Sequence, residues 1–112
     1  MSGEKRKELG RIQKVRVGIG GYQDAQFGIW FTLGSAGWGV QDGRGFWSMK
    51  PTPDCKWTEA DQNGSFAELA RYILELLRSA KVESVDALLN KPIEVEFDGN
   101  LLKSWRILEE VL

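Results

Sequence analysis

The 112-residue chain has no histidine, only three prolines and a single cysteine, Cys55. Without histidine it lacks the commonest general base, the usual proton switch near neutral pH and the most frequent metal ligand. One cysteine excludes an internal disulfide, and with no histidine to act as base, Cys55 is better explained as an ordinary small side chain than as a nucleophile. We therefore expect no enzyme activity, no catalytic residue, no bound metal and no cofactor.

Long apolar runs and a large net charge are also missing. No stretch approaches the roughly 20 apolar residues that cross a bilayer, and the N-terminal MSGEKRKELG lacks the apolar core of a signal peptide, so no membrane association and a cytoplasmic location are expected. Fifteen basic and sixteen acidic residues give a net charge of −1, which disfavours binding to duplex DNA.

The pattern of polar and apolar residues along the chain predicts an α+β fold. Apolar side chains alternate from Lys14 and again over 27–33, which predicts half-buried strands. A short strand at 38–40 and a hairpin turn at Asp42-Gly43 continue an N-terminal antiparallel meander. Residues 1–10 are charged and are predicted to be a flexible tail. The remainder, 11–112, is predicted to be a single domain.

The second half of the chain predicts helices and a hairpin. Apolar residues at helical spacing over 66–80 predict a long helix packed on one side of the mostly antiparallel sheet. Capping boxes that begin at Thr58 and at Ser65 leave its start open, and Ser65 is favoured. Ser84 could cap a short second helix on the same side. The C-terminal hairpin ends in a strand predicted over 101–112, with apolar groups on both faces, which indicates a homo-oligomer.

Glycine and tryptophan are concentrated in one region. Nine of the thirteen glycines lie between Gly18 and Gly45, and four of the five tryptophans lie between Trp30 and Trp57. Either the glycines serve hairpin turns and the tryptophans fill space, or the glycines leave the outer sheet face concave so that a planar ligand can stack. In the second case nearby cations would hold a phosphate. The candidate ligand-binding residues are Tyr22, Trp30, Trp38, Arg44, Trp47, Lys56 and Trp57.

Several aromatic and glycine blocks carry a resemblance to a known family. The segments GGYQDAQFGIWFTL, WGVQDGRGFW, DCKWTEAD and IEVEFDGNLLKSWRILEEVL resemble a family of small proteins of tailed phages and prophages. The resemblance runs from about Val15 to Leu112 and contains no catalytic motif. It implies a phage protein that acts in the host cytoplasm by binding.

Three functions follow as hypotheses. The first is non-catalytic binding of a small nucleotide-like ligand, with sequestration of a host defence signal as its role. The alternative is a protein-interaction module that inhibits a host factor or assembles with phage proteins through exposed aromatic residues. The third is binding of single-stranded nucleic acid, which would weaken steeply with salt.

Overall fold

One long strand organises the sheet. In the computed structural model, which describes residues 5–112, β1 runs over Lys5–Gly20 and has a bulge near its centre. Its first half pairs with β4 (Pro92–Asp98) and its second half with β2 (Gln26–Ser35), both antiparallel. Two sets of strands that are distant in sequence are thus joined through a single strand.

The edge strands complete a five-stranded antiparallel sheet. β3 (Trp38–Trp47) pairs with β2, and β5 (Leu101–Ile107) pairs with β4, so the order is β3-β2-β1-β4-β5. The predicted α+β class, with a mostly antiparallel sheet and one long helix, is confirmed. The predicted turn at Asp42-Gly43 is wrong, because these residues lie inside β3 and pair with Phe31 and Trp30 of β2.

The sheet curls until its two edges approach each other. The Trp105 indole of β5 donates a hydrogen bond of 2.6 Å to a carboxylate oxygen of Asp42 of β3, and its ring lies 5.0 Å from that of Phe31. Trp38 of β3 meets Phe97 of β4 edge to face, with ring centroids 5.5 Å apart. These contacts enclose the core on the concave side.

The long helix α1 (Glu59–Ala80) lies on this concave side and contacts both edge strands. It begins at the earlier of the two candidate caps: the Thr58 hydroxyl accepts from the Asp61 amide, and the Asp61 carboxylate accepts from the Thr58 amide. The preference for Ser65 is wrong because this reciprocal cap stabilises about two additional turns of helix. The buried apolar residues of the core are Ile12, Ile29, Phe31, Leu33, Leu69, Ala80, Leu88, Ile93, Val95, Phe97 and Ile107.

Both ends of the chain differ from the prediction. Residues 5–10 were expected in the flexible tail but form the first part of β1, because β4 supplies a partner that local pattern does not reveal; residues 1–4 of that tail lie outside the described residues. The short second helix is a 3-10 turn over Val85–Leu88. The last strand ends at Ile107 and is followed by a 3-10 turn over Glu109–Val111, so it does not extend over 101–112.

The faces of β5 also differ from the prediction. A bulge in its pairing with β4 brings Leu102 opposite Phe97, so that Leu102, Trp105 and Ile107 all pack against the core. The outer face of β5 carries Leu101, Ser104 and Arg106. The expectation that Leu102 lies on the face opposite Trp105 and Ile107 is therefore wrong. Within the described residues, no helix combines the length and the apolar character needed to cross a membrane.

Candidate ligand-binding face

The outer face of β1, β2 and β3 is formed by short rows of residues set by the strand register. Arg16, Trp30 and Gly43 form one row across the three strands. A row of glycines, Gly18, Gly28 and Gly45, lies next to it, and Lys14, Thr32 and Gln41 form the row on the other side. One large ring therefore lies on a face from which most side chains are missing.

The glycines make room for the Trp30 indole. A Cβ on Gly43 would collide with the six-membered ring, and a Cβ on Gly45 would lie 2.6 Å from its Cη2 atom. The indole N–H donates a 3.1 Å hydrogen bond to the Gly18 carbonyl. Among the described glycines only Gly21 and Gly99 have a positive φ. Space for a ring, more than turn geometry, accounts for the glycines around Trp30.

Arg16 lies beside this ring. A Cβ on Gly20 would lie 2.9 Å from the Arg16 Nη2 atom and 2.9 Å from Trp30 Cε2, so the guanidinium and the indole approach each other over bare backbone. Arg16 and Lys14 are exposed and make no ion pair within residues 5–112. Two uncompensated cations thus lie beside one flat aromatic surface.

A groove of about 660 Å³ lies over this part of the sheet. Its volume falls within the range of about 300–1,000 Å³ that is usual for small-molecule sites. Asp24 also lines it. We call the residues that define it the tryptophan shelf: Lys14, Arg16, Gly20, Trp30, Thr32 and Gln41.

A second pocket, of about 580 Å³, lies in the loop between β3 and α1. Trp47 and Trp57 line it together with Met49, Lys50 and Cys55. The loop is anchored by Gln62 of α1, a buried amide that donates to the carbonyls of Trp47 and Met49 at 2.7 and 3.0 Å. Two of the candidate tryptophans are thus brought together by the fold.

The remaining candidates are distributed elsewhere. Trp38 and Arg44 face the concave side, where Trp38 packs on the core and Arg44 lies 4.0 Å from the centre of the Tyr72 ring. Tyr22 is 73% exposed in the turn between β1 and β2. Lys56 is exposed in the loop but lines neither pocket. The seven candidates therefore do not form one site.

Packing on the concave side shifts the pKa of one side chain, Tyr72. Burial raises the pKa of Tyr72, and the neighbouring Arg44 guanidinium opposes that rise. The ring and the guanidinium stack, which keeps Arg44 away from the outer face. Arg44 thus contributes to helix packing and supplies no charge to the shelf.

Sequence analysis missed the shelf residues around Trp30. Lys14 and Arg16 carry a usable signal, because they alternate with Val15 and Val17 and must face outward when those valines face the core. Thr32 carries the same signal, because it alternates with Phe31 and Leu33, but only the registers of β1 with β2 and of β2 with β3 bring Thr32 and Gln41 into the same row as Lys14. Local periodicity gives the face of a residue, whereas its cross-strand neighbours depend on register.

The other half of the outer face is filled by charged side chains. Glu94 accepts from Arg106 at 3.2 Å and lies 4.0 Å from Lys7, while Glu96 lies 3.9 Å from Lys103. Arg106 also pairs with Glu110 at 2.9 Å. The pKa of Glu110 falls to about 2, first because its carboxylate accepts hydrogen bonds from Arg106. We call this set of pairs, on β1, β4, β5 and the 3-10 turn that follows β5, the charge ladder.

Comparison with known proteins gives no match to a family model, to a curated protein or to a solved structure. No group of three or more metal-ligating side chains occurs among residues 5–112. Function is therefore inferred from the chemistry of the two pockets.

Proposed function

We propose that the chain is a non-catalytic binding protein that holds a small, planar, anionic ligand of the nucleotide type on the tryptophan shelf. The observation that carries this proposal is the Trp30 indole beside the Arg16 guanidinium, over backbone without side chains. A phage origin and the capture of a host defence nucleotide are part of the same proposal, and they are supported by the resemblance of the aromatic segments.

Stacking on Trp30 would supply the planar part of recognition. Base–aromatic stacking contributes about 1–3 kcal/mol per base and does not depend on base identity. Because the indole N–H is already bonded to Gly18, the ring offers its face and no donor. Selectivity among bases would then depend on Thr32 and Gln41, whose side chains lie on the same outer face.

The two cations would supply the anionic part. Arg16 and Lys14 lack carboxylate partners in the described chain, so binding a phosphate would not require an ion pair to be broken. A guanidinium suits this role because its planar fork matches phosphate oxygens. The charge ladder cannot play it, since its cations are already paired.

The direct test is titration of the purified protein with linear and cyclic nucleotides, followed by tryptophan fluorescence and calorimetry. We expect saturable binding of nucleotides, with the unphosphorylated nucleoside and inorganic phosphate each binding more weakly. Arg16→Ala should weaken nucleotide binding roughly 10- to 100-fold, as expected for loss of a charged hydrogen bond. No saturable binding to any nucleotide would refute the proposal.

Arg71→Ala is the matched control, because it removes the same charge from the exposed surface of α1. Equal affinity of Arg16→Ala and Arg71→Ala would show that the shelf is not the site. A short single-stranded oligonucleotide separates the third hypothesis: affinity that rises with strand length and falls steeply with salt would indicate a nucleic-acid binder.

A protein-interaction module is the second candidate function, and the loop pocket supports it. Trp47 is 45% exposed and Met49 is 71% exposed beside it. Exposed tryptophan and methionine are typical of the centre of a protein interface. A stoichiometric protein partner that is lost on Trp47→Ala but retained on Arg16→Ala would favour this function over ligand binding.

A further inference from the structure

The second half of β1 has an edge that no other strand covers. Residues from Lys14 to Gly20 pair with β2 on one side, whereas β4 reaches only the first half of β1. On the uncovered side, the last backbone hydrogen bonds join Ile12 to the segment just before β4. Within residues 5–112 the edge beyond Ile12 has no backbone partner, and a free edge of this kind is a template for another strand.

An apolar strip borders this edge on the concave side. Val17, Ile19 and Phe27 are 42%, 48% and 38% exposed although they share a face with the core. Phe27 meets Phe66 of α1 edge to face at 6.2 Å. The apolar strip consists of these four residues.

The chain also exposes more surface than is expected for a folded monomer of its mass. Its accessible surface is 7604 Å², whereas a monomer of 12.6 kDa is expected to expose about 6,200 Å². Its radius of gyration is 15.9 Å, against roughly 13 Å for a chain of this length. The difference in area exceeds the roughly 800 Å² that each partner buries in an interface of standard size.

We propose that two copies of the chain pair through this edge, antiparallel, about a two-fold axis next to Val17. In that register Arg16 lies opposite Gly18 of the second copy, and Lys14 lies opposite Gly20. Each cation meets a glycine, so no like charges face each other. The edge is self-complementary, which is what a symmetric interface requires.

The same register pairs the apolar side chains. Val15 lies opposite Ile19 of the second copy, and Val17 lies opposite its own equivalent. Because the axis is perpendicular to the sheet, both α1 helices lie on one side of the joined sheet, and the apolar strips of the two copies meet between the helices. Both tryptophan shelves lie on the other side, where Arg16 and Lys14 from the two copies line one continuous surface.

Light scattering on the purified protein tests the assembly. We expect a mass of about 25 kDa, twice the 12.6 kDa of one chain. Val17→Lys places two ammonium groups at the axis and should give a monomer with unchanged circular dichroism. Leu101→Lys is the matched control, since Leu101 is 75% exposed on β5 at the far edge of the sheet, and it should remain a dimer.

A cross-linking experiment keeps the proposal testable if Val17→Lys does not fold. In a Cys55→Ser background, Val17→Cys carries the only thiol, and paired antiparallel positions bring Cα atoms about 4.5–5.5 Å apart, within disulfide range. Oxidation should give a covalent dimer for Val17→Cys and none for Leu101→Cys. A wild-type mass of 12.6 kDa over a wide concentration range, or cross-linking of Leu101→Cys alone, would overturn the proposal.

Discussion

The two halves of the outer face belong to one sheet but use opposite chemistry. Over β1, β4 and β5, the charge ladder covers the backbone with paired side chains. Over β1, β2 and β3, glycines leave the backbone around Trp30 without side chains, and the neighbouring cations Lys14 and Arg16 lack ion-pair partners in the described chain. The first surface satisfies its own charges, whereas the second leaves both charge and aromatic area available.

The two halves of the outer face also differ in how much they contribute to the stability of the fold. Glycine in a strand costs about 0.5–1 kcal/mol relative to alanine, and the shelf half of the sheet carries several such residues. Packing of the Trp30 ring on the cleared backbone offsets part of this loss. A surface that gives up stability in this way is a better candidate for function than one whose side chains stabilise each other.

The largest expected effect tests whether Trp30 belongs to a surface or to a second core. Phe31→Ala should lower the free energy of unfolding by roughly 3–5 kcal/mol, because Phe31 is 3% exposed and packs on Trp105. Trp30→Ala should cost less, roughly 1–3 kcal/mol, because the ring is only half-buried. Urea unfolding measures both. Equal losses would mean that the shelf is core, and the contrast with the charge ladder would no longer hold.

A smaller effect tests why the glycines are there. Gly45→Ala places a Cβ 2.6 Å from Trp30 Cη2, so the ring must move, and we expect a loss of roughly 1–3 kcal/mol with a shift in tryptophan emission. Gly37→Ala is the control, since no atom lies within 4 Å of the added Cβ, and it should change stability by less than about 0.5 kcal/mol. A neutral Gly45→Ala would remove the explanation of the glycines as space for Trp30.

The elements of the fold were predictable where the information is local. Alternation in β1, β2 and β4 and the stripe of α1 predicted an antiparallel sheet with one long helix. The turn at Asp42-Gly43 failed because its glycine accommodates a ring on the neighbouring strand, a cause that local sequence does not contain. Residues 5–10 failed for a related reason, since their strand depends on β4, more than eighty positions away.

The site was predictable only in part. Trp30 and Trp47 were both assigned to a ligand-binding surface, and the register places both on the outer face. Trp38 and Arg44 were assigned to it as well, but an odd offset from Trp47 puts them on the opposite face of the same strand. Curvature of the sheet then gives both a packing partner that sequence could not reveal, namely Phe97 for Trp38 and Tyr72 for Arg44.

The smallest expected effect belongs to the charge ladder and depends on pH. The folded-state pKa of Glu110 is about 2, below the ordinary value of 4.5, because Arg106 donates to its carboxylate. A carboxyl group with a lowered folded pKa stabilises the protein above its unfolded pKa and loses that contribution as the pH falls toward the folded value. Glu110→Gln should therefore lower Tm slightly near pH 6, with the difference from wild type shrinking between pH 4.5 and 2. Because the pair is exposed, the difference should also diminish at high salt. Glu109→Gln is the control, since Glu109 makes no ion pair in the described part of the chain. Thermal melts across this pH range measure both differences. If the two variants differ from wild type by the same amount in Tm, the Arg106–Glu110 pair does not stabilise the fold, and the contrast between the charge ladder and the shelf does not hold.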